Sequence, residues 1–203
     1  MTNFEQLVLD SIRGVDGWCS DAKAIELANL VREYKPGLIV EIGVFAGKSL
    51  IPMAMACREN GRGGVIGIDP WSQEESIKGQ PPEHVAFWGK LDHEAIFKVC
   101  INNLTRLQLQ DWVAIHRTTA DAFTPPENIG ILSVDGNHGP QCLADVIRYA
   151  PKVVQGGYVI CDDLSWSGDN VGKSILVLQG MGFTWVKKVK NEVDDWAILR
   201  KSR

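Results

Sequence analysis

The spacing of apolar residues predicts two helices followed by an alternation of strands and helices. In the first 35 residues, apolar side chains recur at helical intervals, first around Phe4 and Leu7 and again after Ser20-Asp21, a pair typical of a helix N-cap. From Gly37 onward, longer helical segments alternate with short apolar runs of strand length, which are LIVEIG, VIGID, WVAIH, ILSVD and YVICD. This alternation predicts an α/β fold of the Rossmann-like kind, with helices on both faces of a mostly parallel sheet. We expect a single domain over residues 1–203, with N-terminal helices in 1–35 and the core in 36–203.

Two segments depart from the alternation. FTWVKKVK and DWAILRK are β-rich and are joined by residues 191–194, so they predict a closing antiparallel hairpin. Residues 70–82, PWSQEESIKGQPP, are polar, contain prolines and lack periodicity, which predicts a mobile loop over a site. A solvated connection without function is an equally good interpretation of this segment.

Composition and charge narrow the class of protein. The net charge of −4 and the pI near 5.6 give no reason to expect binding to nucleic acid or to an anionic membrane. The five cysteines are scattered and never spaced as C-x-x-C, which argues against disulfides and zinc and suits a reducing cytoplasm. No apolar run approaches the roughly twenty residues of a membrane span, and we expect no signal peptide.

The segment VEIGVFAGKS, residues 40–49, predicts a strand, a tight turn and a helix. A P-loop needs four residues between its first glycine and the Gly-Lys pair, but only three separate Gly43 from Gly47. A dinucleotide fingerprint needs glycine where Glu41 stands, and a carboxylate there would repel a pyrophosphate. Glu41 instead favours an amino group or a sulfonium, and Gly43 lets a ligand approach the backbone closely. S-adenosylmethionine carries both of these cations.

The second and third predicted strands support the same ligand. VIGID ends at Asp69, whose carboxylate can accept hydrogen bonds from both ribose hydroxyls. Residues 116–123 supply small and polar side chains, including Ala120 and Asp121, where an adenine could be sandwiched, although Asp121 could equally cap a helix. The alternative is a sheet without a ligand, in which Glu41 and Asp69 only solvate strand ends.

Acidic residues follow the fourth and fifth predicted strands: ILSVD ends at Asp135 and YVICD ends at Asp162-Asp163. If the first strand neighbours the fourth and the fourth the fifth, these carboxylates stand beside Glu41 at the edge where ligands collect. Crowded carboxylates repel each other, so either some stay protonated or a metal neutralises them. Hard oxygen ligands favour magnesium, manganese or calcium. The alternative is that Asp135 caps the next helix and that Asp162-Asp163 is a solvated strand end.

His138 lies three residues after Asp135, on a loop expected to face the same crevice. Its ordinary pKa of about 6.5 suits proton abstraction from a hydroxyl, which makes His138 the candidate base. A surface histidine without a role is the competing interpretation.

The tryptophans divide by position. Those within apolar strands are expected in the core, namely Trp112, Trp185 and Trp196. Those after strand ends or in connecting segments could stack on a sugar or a planar acceptor, namely Trp71, Trp88 and Trp166. Core packing is an equally good interpretation of Trp88.

In their order and spacing, VEIGVFAGKS, VIGIDPW, ILSVDGNHG and GGYVICDDLSW resemble the class I S-adenosylmethionine-dependent methyltransferases over roughly residues 36 to 200. The likeness is greatest to the branch that includes macrocin-type and cephalosporin-hydroxylase-like proteins. The resemblance implies the sheet order 3-2-1-4-5-7-6, a magnesium ion at Asp135, Asp162 and Asp163, and His138 as base. It also implies the donor-binding residues Glu41, Gly43, Gly47 and Asp69, to which we add Ser49, Ala120, Asp121 and Asp135.

We therefore expect an enzyme that methylates a hydroxyl of a small molecule, such as a sugar or a polyhydroxylated natural product, with S-adenosylmethionine and Mg²⁺ or another hard divalent cation. The segment 70–82 is too short to build a wide peptide surface, so a protein acceptor is disfavoured. Whether the chain forms a homo-oligomer is left open. Two rivals remain: an NAD-dependent oxidoreductase on a Rossmann sheet, and a non-catalytic protein of the same fold that binds the cofactor.

Overall fold

A central sheet organises the computed structural model, which describes residues 1–166 and 168–202. Within these residues the strands are β1 (Ile39–Ile42), β2 (Val65–Asp69), β3 (Val113–Arg117), β4 (Ile129–Val134), β5 (Val153–Asp162), β6 (Phe183–Lys190) and β7 (Asp195–Lys201). Their order in the sheet is β3-β2-β1-β4-β5-β7-β6, which confirms the expected order. Strands β1 to β5 pair in parallel, whereas β7 pairs antiparallel with both β5 and β6.

Helices cover both faces of the sheet. They are α1 (Asn3–Ile12), α2 (Asp21–Tyr34), α3 (Leu50–Asn60), α4 (Gln73–Ile77), α5 (Pro82–Trp88), α6 (His93–Arg106), α7 (Pro140–Tyr149) and α8 (Asn170–Gly180), with a short 3₁₀ helix at Ala150–Lys152. The expected pair of N-terminal helices is present. As predicted, Ser20 caps α2, because its hydroxyl accepts a hydrogen bond from the Lys23 backbone N–H at 3.0 Å.

The adjacency of β1, β4 and β5 brings their carboxyl ends together. Ile42 of β1 pairs with Val134 of β4, which in turn pairs with Cys161 of β5. All residues of β1 and β4 are buried, as expected for parallel strands covered on both faces, which read as continuous apolar runs. The strand adjacency on which the predicted acidic cluster depends is therefore confirmed.

The C-terminal hairpin is also confirmed, since β6 and β7 pair antiparallel around the four-residue turn. Trp185, however, is 42 % exposed, contrary to its expected place in the core. The reason is that β6 is an edge strand of the sheet. Trp196, one strand further in on β7, is buried as expected.

The segment 70–82 is more ordered than the predicted loop. It forms α4 and the first residue of α5, with Ser72 capping α4 through the Glu75 N–H. Trp71 is buried, which contradicts its expected exposure: its ring packs 4.9 Å from that of Phe97 and its indole N–H donates to the Phe45 carbonyl at 2.9 Å. Within the described residues, no helix has both the length and the apolar character needed to cross a bilayer.

Candidate functional site

A cavity of about 750 Å³ lies at the carboxyl edge of the sheet. The loops after β1, β2 and β4 form part of its wall, and α4 and α5 also contribute lining residues. Strand order reverses at this point, because the chain passes from β1 to β2 on one side and returns to β4 on the other. Ligands of open α/β proteins bind at such a reversal, and the volume is typical of a small-molecule site.

Most of the residues predicted to bind the methyl donor line this cavity. They are Gly43, Ser49, Asp69, Ala120, Asp121 and Asp135. Two of the predicted residues, Glu41 and Gly47, do not line the cavity. Glu41 is completely buried, and neither of its carboxyl oxygens has a hydrogen-bond partner among the described residues. Burial raises the pKa of Glu41 to about 8, so the side chain is mostly neutral at pH 7 and does not present the anion that the sequence predicted.

Gly43 lines the cavity and also lies against the backbone of the loop after β4, where a side chain would not fit. Its φ is +86°, a conformation that glycine adopts at little cost. A Cβ at this position would lie 2.2 Å from the Asp135 carbonyl oxygen. The glycine therefore lets the loop after β1 pack against the loop after β4, which holds Asp135 in place.

Asp69 ties together the loops after β1 and β2. Its Oδ2 accepts hydrogen bonds from the N–H groups of Val44 at 2.9 Å and Phe45 at 3.0 Å, and its Oδ1 accepts one from Trp71 at 2.7 Å. Burial raises the pKa of Asp69, and these three N–H donors oppose the rise. A carboxylate oxygen can accept two hydrogen bonds, so Oδ1 retains capacity for a hydroxyl donor from the cavity.

Asp121 follows β3 on a turn, so it does not take the alternative role of capping a helix. Its Oδ1 accepts a hydrogen bond from Gln141 Nε2 at 2.6 Å, and the same nitrogen donates to Asp145 Oδ1 at 2.8 Å. Burial raises the pKa of Asp145 to about 7. Asp135 is likewise no helix cap, because α7 begins after Gly139.

Asp135, His138 and Asp163 form a cluster in which one ligand atom from each residue lies within 4.8 Å of the others. The His138 Nε2 atom is 2.9 Å from Asp163 Oδ2 and 3.8 Å from Asp135 Oδ1. The backbone of Asp163 has φ +51°, which is uncommon for a residue other than glycine. Asp163 bonds to His138, whereas the preceding Asp162 bonds to a different partner.

That partner is Lys23 of α2, which sequence reasoning missed. Lys23 is 2 % exposed, and its ammonium donates to Asp162 Oδ2 and lies 3.5 Å from Asp135 Oδ2. The sequence offered two ways to relieve repulsion between the carboxylates, which were protonation and a metal. The structure shows a third, which is the buried ammonium of Lys23. Asp162 is thus paired with an ammonium, and it is not in the group of described side chains whose geometry could hold a metal ion, so its predicted role as a metal ligand gains no support.

His138 is buried, and its Nδ1 atom has no hydrogen-bond partner among the described residues. Burial alone would lower the pKa of His138, but the hydrogen bond to Asp163, the contact with Cys142 and the charges of Asp163 and Asp135 raise it to about 10. Without a bound cation, the imidazole at neutral pH therefore donates Nε2–H to Asp163. A divalent cation on Asp135 and Asp163 would displace this proton and leave the Nε2 lone pair to coordinate it. The expected role of His138 as base stays a prediction.

The α4–α5 segment is held over the cavity by polar and aromatic contacts. Asn137 Nδ2 donates to the Lys78 carbonyl at 2.8 Å and to the Glu75 carbonyl at 3.2 Å, and Gln80 Nε2 donates to Asn137 Oδ1 at 2.6 Å. At one end of α5, the His84 ring lies 4.2 Å from that of Trp166, which itself lies 5.1 Å from that of His138. At the other end, Trp88 packs against Trp18 and Phe45. Trp88 and Trp166 line the cavity.

The cavity is acidic. Its carboxylates include Asp69, Asp121, Asp135, Asp145, Asp162 and Asp163, whereas the lysines on its wall, within the described residues, are Lys23, Lys48 and Lys78. Such a wall favours a cationic ligand over a pyrophosphate.

Fold and cavity together define a class: an open α/β protein with a cavity of small-molecule size at the carboxyl edge of its sheet. The family model described as a methyltransferase domain matches residues 40–164, and the chain belongs to that family. No curated protein sequence matches the chain significantly.

Three solved structures resemble the chain at low sequence identity. The O-methyltransferase NovP is 17 % identical with a TM-score of 0.70, over 91 % of this chain and 81 % of that one. TomG of Streptomyces achromogenes is an O-methyltransferase involved in tomaymycin synthesis, and its structure contains S-adenosylmethionine. It is 15 % identical to this chain with a TM-score of 0.64, and the match covers 100 % of this chain and 91 % of TomG. An O-methyltransferase of Bacillus cereus in complex with S-adenosylhomocysteine is 16 % identical with a TM-score of 0.63, over 100 % and 92 %. These similarities show a shared Rossmann-like methyltransferase fold.

Proposed function

We propose that the chain is an S-adenosylmethionine-dependent O-methyltransferase that acts on a hydroxyl of a small molecule, with Mg²⁺ or another hard divalent cation. The observation that carries the proposal is the cluster of Asp135, His138 and Asp163 in the same acidic cavity as the predicted donor residues. Membership of the methyltransferase domain family supports it, as do the O-methyltransferase neighbours, two of which contain S-adenosylmethionine or S-adenosylhomocysteine.

The part of the cavity that the predicted donor-binding residues line suits an adenosine with a positively charged tail. We assign the ribose to Asp69, whose Oδ1 retains acceptor capacity, and the adenine to the turn that contains Ala120 and Asp121. S-adenosylmethionine supplies an electrophilic methyl group on a sulfonium. Asp135 lines the same cavity as Gly43, and its carboxylate attracts that positive charge.

The cation is assigned to Asp135 and Asp163, with His138 Nε2 as the nitrogen ligand. Two carboxylates and an imidazole suit a divalent ion, and the carboxylates favour a hard one. A bound cation of this kind lowers the pKa of a coordinated hydroxyl and stabilises its alkoxide. His138 then acts as a ligand and not as the predicted base. Asp162 stays with Lys23 and keeps the charge of the site balanced.

The acceptor is assigned to the side of the cavity formed by Trp166 and His84. The Trp166 ring lies against His138, so a sugar or another ring stacked on it would place a hydroxyl beside the cluster. The α4–α5 segment covers this side, which favours a small acceptor over a protein. The hydroxyl gives its proton to solvent water, its oxygen attacks the methyl carbon in line with the breaking C–S bond, and S-adenosylhomocysteine leaves.

The two rivals predict different observations. Hydride transfer needs a site for a pyrophosphate, which the carboxylates of the cavity disfavour. A non-catalytic protein of the same fold would bind the donor without consuming it, whatever hydroxylated acceptor is present.

Turnover tests the proposal. The native chain is incubated with S-adenosylmethionine, Mg²⁺ and a panel of sugars and polyhydroxylated compounds, and S-adenosylhomocysteine is measured with and without chelator. We expect acceptor-dependent turnover that a chelator abolishes, and about a 100-fold loss in Asp135→Asn, as for removal of a group that stabilises transition-state charge. Asp10→Asn, on the exposed surface of α1, is the control. Donor binding without turnover across the whole panel would favour the non-catalytic protein.

A further inference from the structure

Lys23 places a fixed positive charge inside the acidic cluster. Its side chain is buried and contacts two of the three aspartates, Asp162 directly and Asp135 at 3.5 Å. Burying an ammonium is costly unless carboxylates compensate it, so this pairing is a condition for folding α2 against the sheet.

The position of the ammonium is set by α2. Lys23 lies in the first turn of this helix, four residues before Leu27, which is buried in the core with Ala24. The buried side chains that follow it in the helix, Ala24 and Leu27, leave the lysine little freedom to withdraw. Its contacts with the carboxylates of Asp135 and Asp162 favour the charged ammonium over the neutral amine.

Asp135 is shared between the lysine and the candidate cation site. Its carboxylate has one oxygen 3.5 Å from Lys23 Nζ and the other 3.8 Å from His138 Nε2. An ion held by Asp135 would therefore share that carboxylate with an ammonium. Like charges repel strongly in a partly buried site, where little solvent screens them.

We propose that Lys23 acts as a built-in cation that occupies the Asp135–Asp162 side of the cluster, confines the divalent ion to Asp135, His138 and Asp163, and weakens its binding. Lys23 is thus a positioning residue for the proposed reaction, and the inference rests on the proposed cation site. Its consequence is an unusual one: removal of a buried, ion-paired lysine tightens the binding of the metal.

Titration of Mn²⁺ into the native chain saturated with S-adenosylmethionine, followed by calorimetry and by electron paramagnetic resonance, tests this inference. Lys23→Met should bind Mn²⁺ about tenfold more tightly, the effect expected when a like charge is removed close to a site. Asp162→Asn should bind it about tenfold more weakly, because Lys23 then bonds to Asp135 alone. The double variant Lys23→Met/Asp162→Asn, which removes both charges, should return to within about threefold of the native affinity.

Lys48→Met is the matched control, since Lys48 lines the same cavity but donates to the Gly17 carbonyl and not to a carboxylate. It should leave the Mn²⁺ affinity within about twofold of native. If Lys23→Met does not fold, the double variant tests the inference instead, because it loses one ammonium and one carboxylate and so keeps the net charge of the cluster.

Weaker Mn²⁺ binding by Lys23→Met would overturn the inference, as a purely structural lysine would give that result. A loss of about 100-fold in the double variant would also overturn it, because Asp162 would then be a direct ligand. If the native chain binds S-adenosylmethionine but no Mn²⁺, this inference fails while the methyltransferase proposal stands without its metal. If it binds no S-adenosylmethionine, the proposed function fails.

Discussion

Glycine stands at position 43 because the loop after β4 leaves no room for a side chain. A Cβ there would meet the backbone of Asp135 and Gly136 at 2.2 to 2.6 Å, and the positive φ adds conformational cost. The sequence motif identified the residue, but it suggested a ligand as the reason. The structure shows a contact between two loops, and through it Gly43 sets the position of Asp135.

Gly43→Ala should lower the free energy of unfolding by about 3 kcal/mol, since strain at positive φ and overpacking add. Urea denaturation measures this. Gly14→Ala is the control, because Gly14 has φ +75° while a Cβ there would meet no described atom within 4 Å. It should cost only about 1 kcal/mol. Equal losses in the two variants would show that the loop contact is unimportant.

Sequence reasoning located the acidic residues but not their partners. The positions of Asp135 and Asp163 follow from strand ends, which periodicity predicts well. The pairing of Lys23 with Asp162 joins residues 139 apart in the chain, and no local pattern specifies such a contact. One signal was available: Lys23 falls on the apolar face of α2, four residues before Leu27, where a charge needs a buried partner.

At the scale of elements, the segment between β2 and α6 differs most from expectation. The predicted loop contains α4, a helix of only five residues that begins at a Ser72 cap. Helices this short show no hydrophobic periodicity, so only capping chemistry could have indicated it. Asn137 fixes this segment over the cavity through hydrogen bonds to its backbone. The β6–β7 hairpin similarly fixes the loop after Asp163, because Asp195 accepts hydrogen bonds from the Leu164 and Ser165 N–H groups.

Asn137→Ala should release the α4–α5 segment. It removes hydrogen bonds worth about 1 kcal/mol each, so amide hydrogen exchange in residues 73–88 should quicken by about tenfold or more. Mass spectrometry of exchanged peptides measures this. Asn60→Ala, which loses a hydrogen bond between α3 and α2, should leave exchange in that segment unchanged. Unchanged exchange in Asn137→Ala would mean that the aromatic contacts alone hold the segment.

At the scale of the whole molecule, the strand order was the most predictable feature. The resemblance to class I methyltransferases implied it, and the structure confirms it together with the adjacency of β1, β4 and β5. The charge state of the buried groups was less predictable, because it depends on burial that one sequence does not reveal. Glu41 was expected to be an anion at the ligand, but it is a fully buried carboxyl with a raised pKa.

Glu41 should make the stability of the native chain depend on pH. Its pKa in the folded state, about 8, lies above the ordinary value of 4.5, so folding favours its protonated form. The stabilisation of the folded state by protonated Glu41 is fully present below pH 4.5 and is lost as the pH rises through 8. Between these limits Glu41 lowers the unfolding free energy by up to about 1.4 kcal/mol per pH unit.

Urea denaturation from pH 5 to pH 8 measures this slope. Glu41→Gln should reduce this slope, leaving the part due to Asp145, whose pKa burial raises to about 7, and should be the more stable protein at pH 8. Glu192→Gln, in the exposed turn of the hairpin, controls for the loss of one carboxylate. A slope that persists unchanged in Glu41→Gln would show that Glu41 is already ionised in the folded protein.

The central claim is that the acidic cavity binds S-adenosylmethionine. Calorimetric titration of the native chain with S-adenosylhomocysteine and with NAD tests it most directly, since the two ligands share an adenosine and differ in the pyrophosphate. We expect S-adenosylhomocysteine to bind at least about tenfold more tightly than NAD, because the carboxylates of the cavity repel a pyrophosphate. Tighter binding of NAD, or no binding of S-adenosylhomocysteine, would contradict the account.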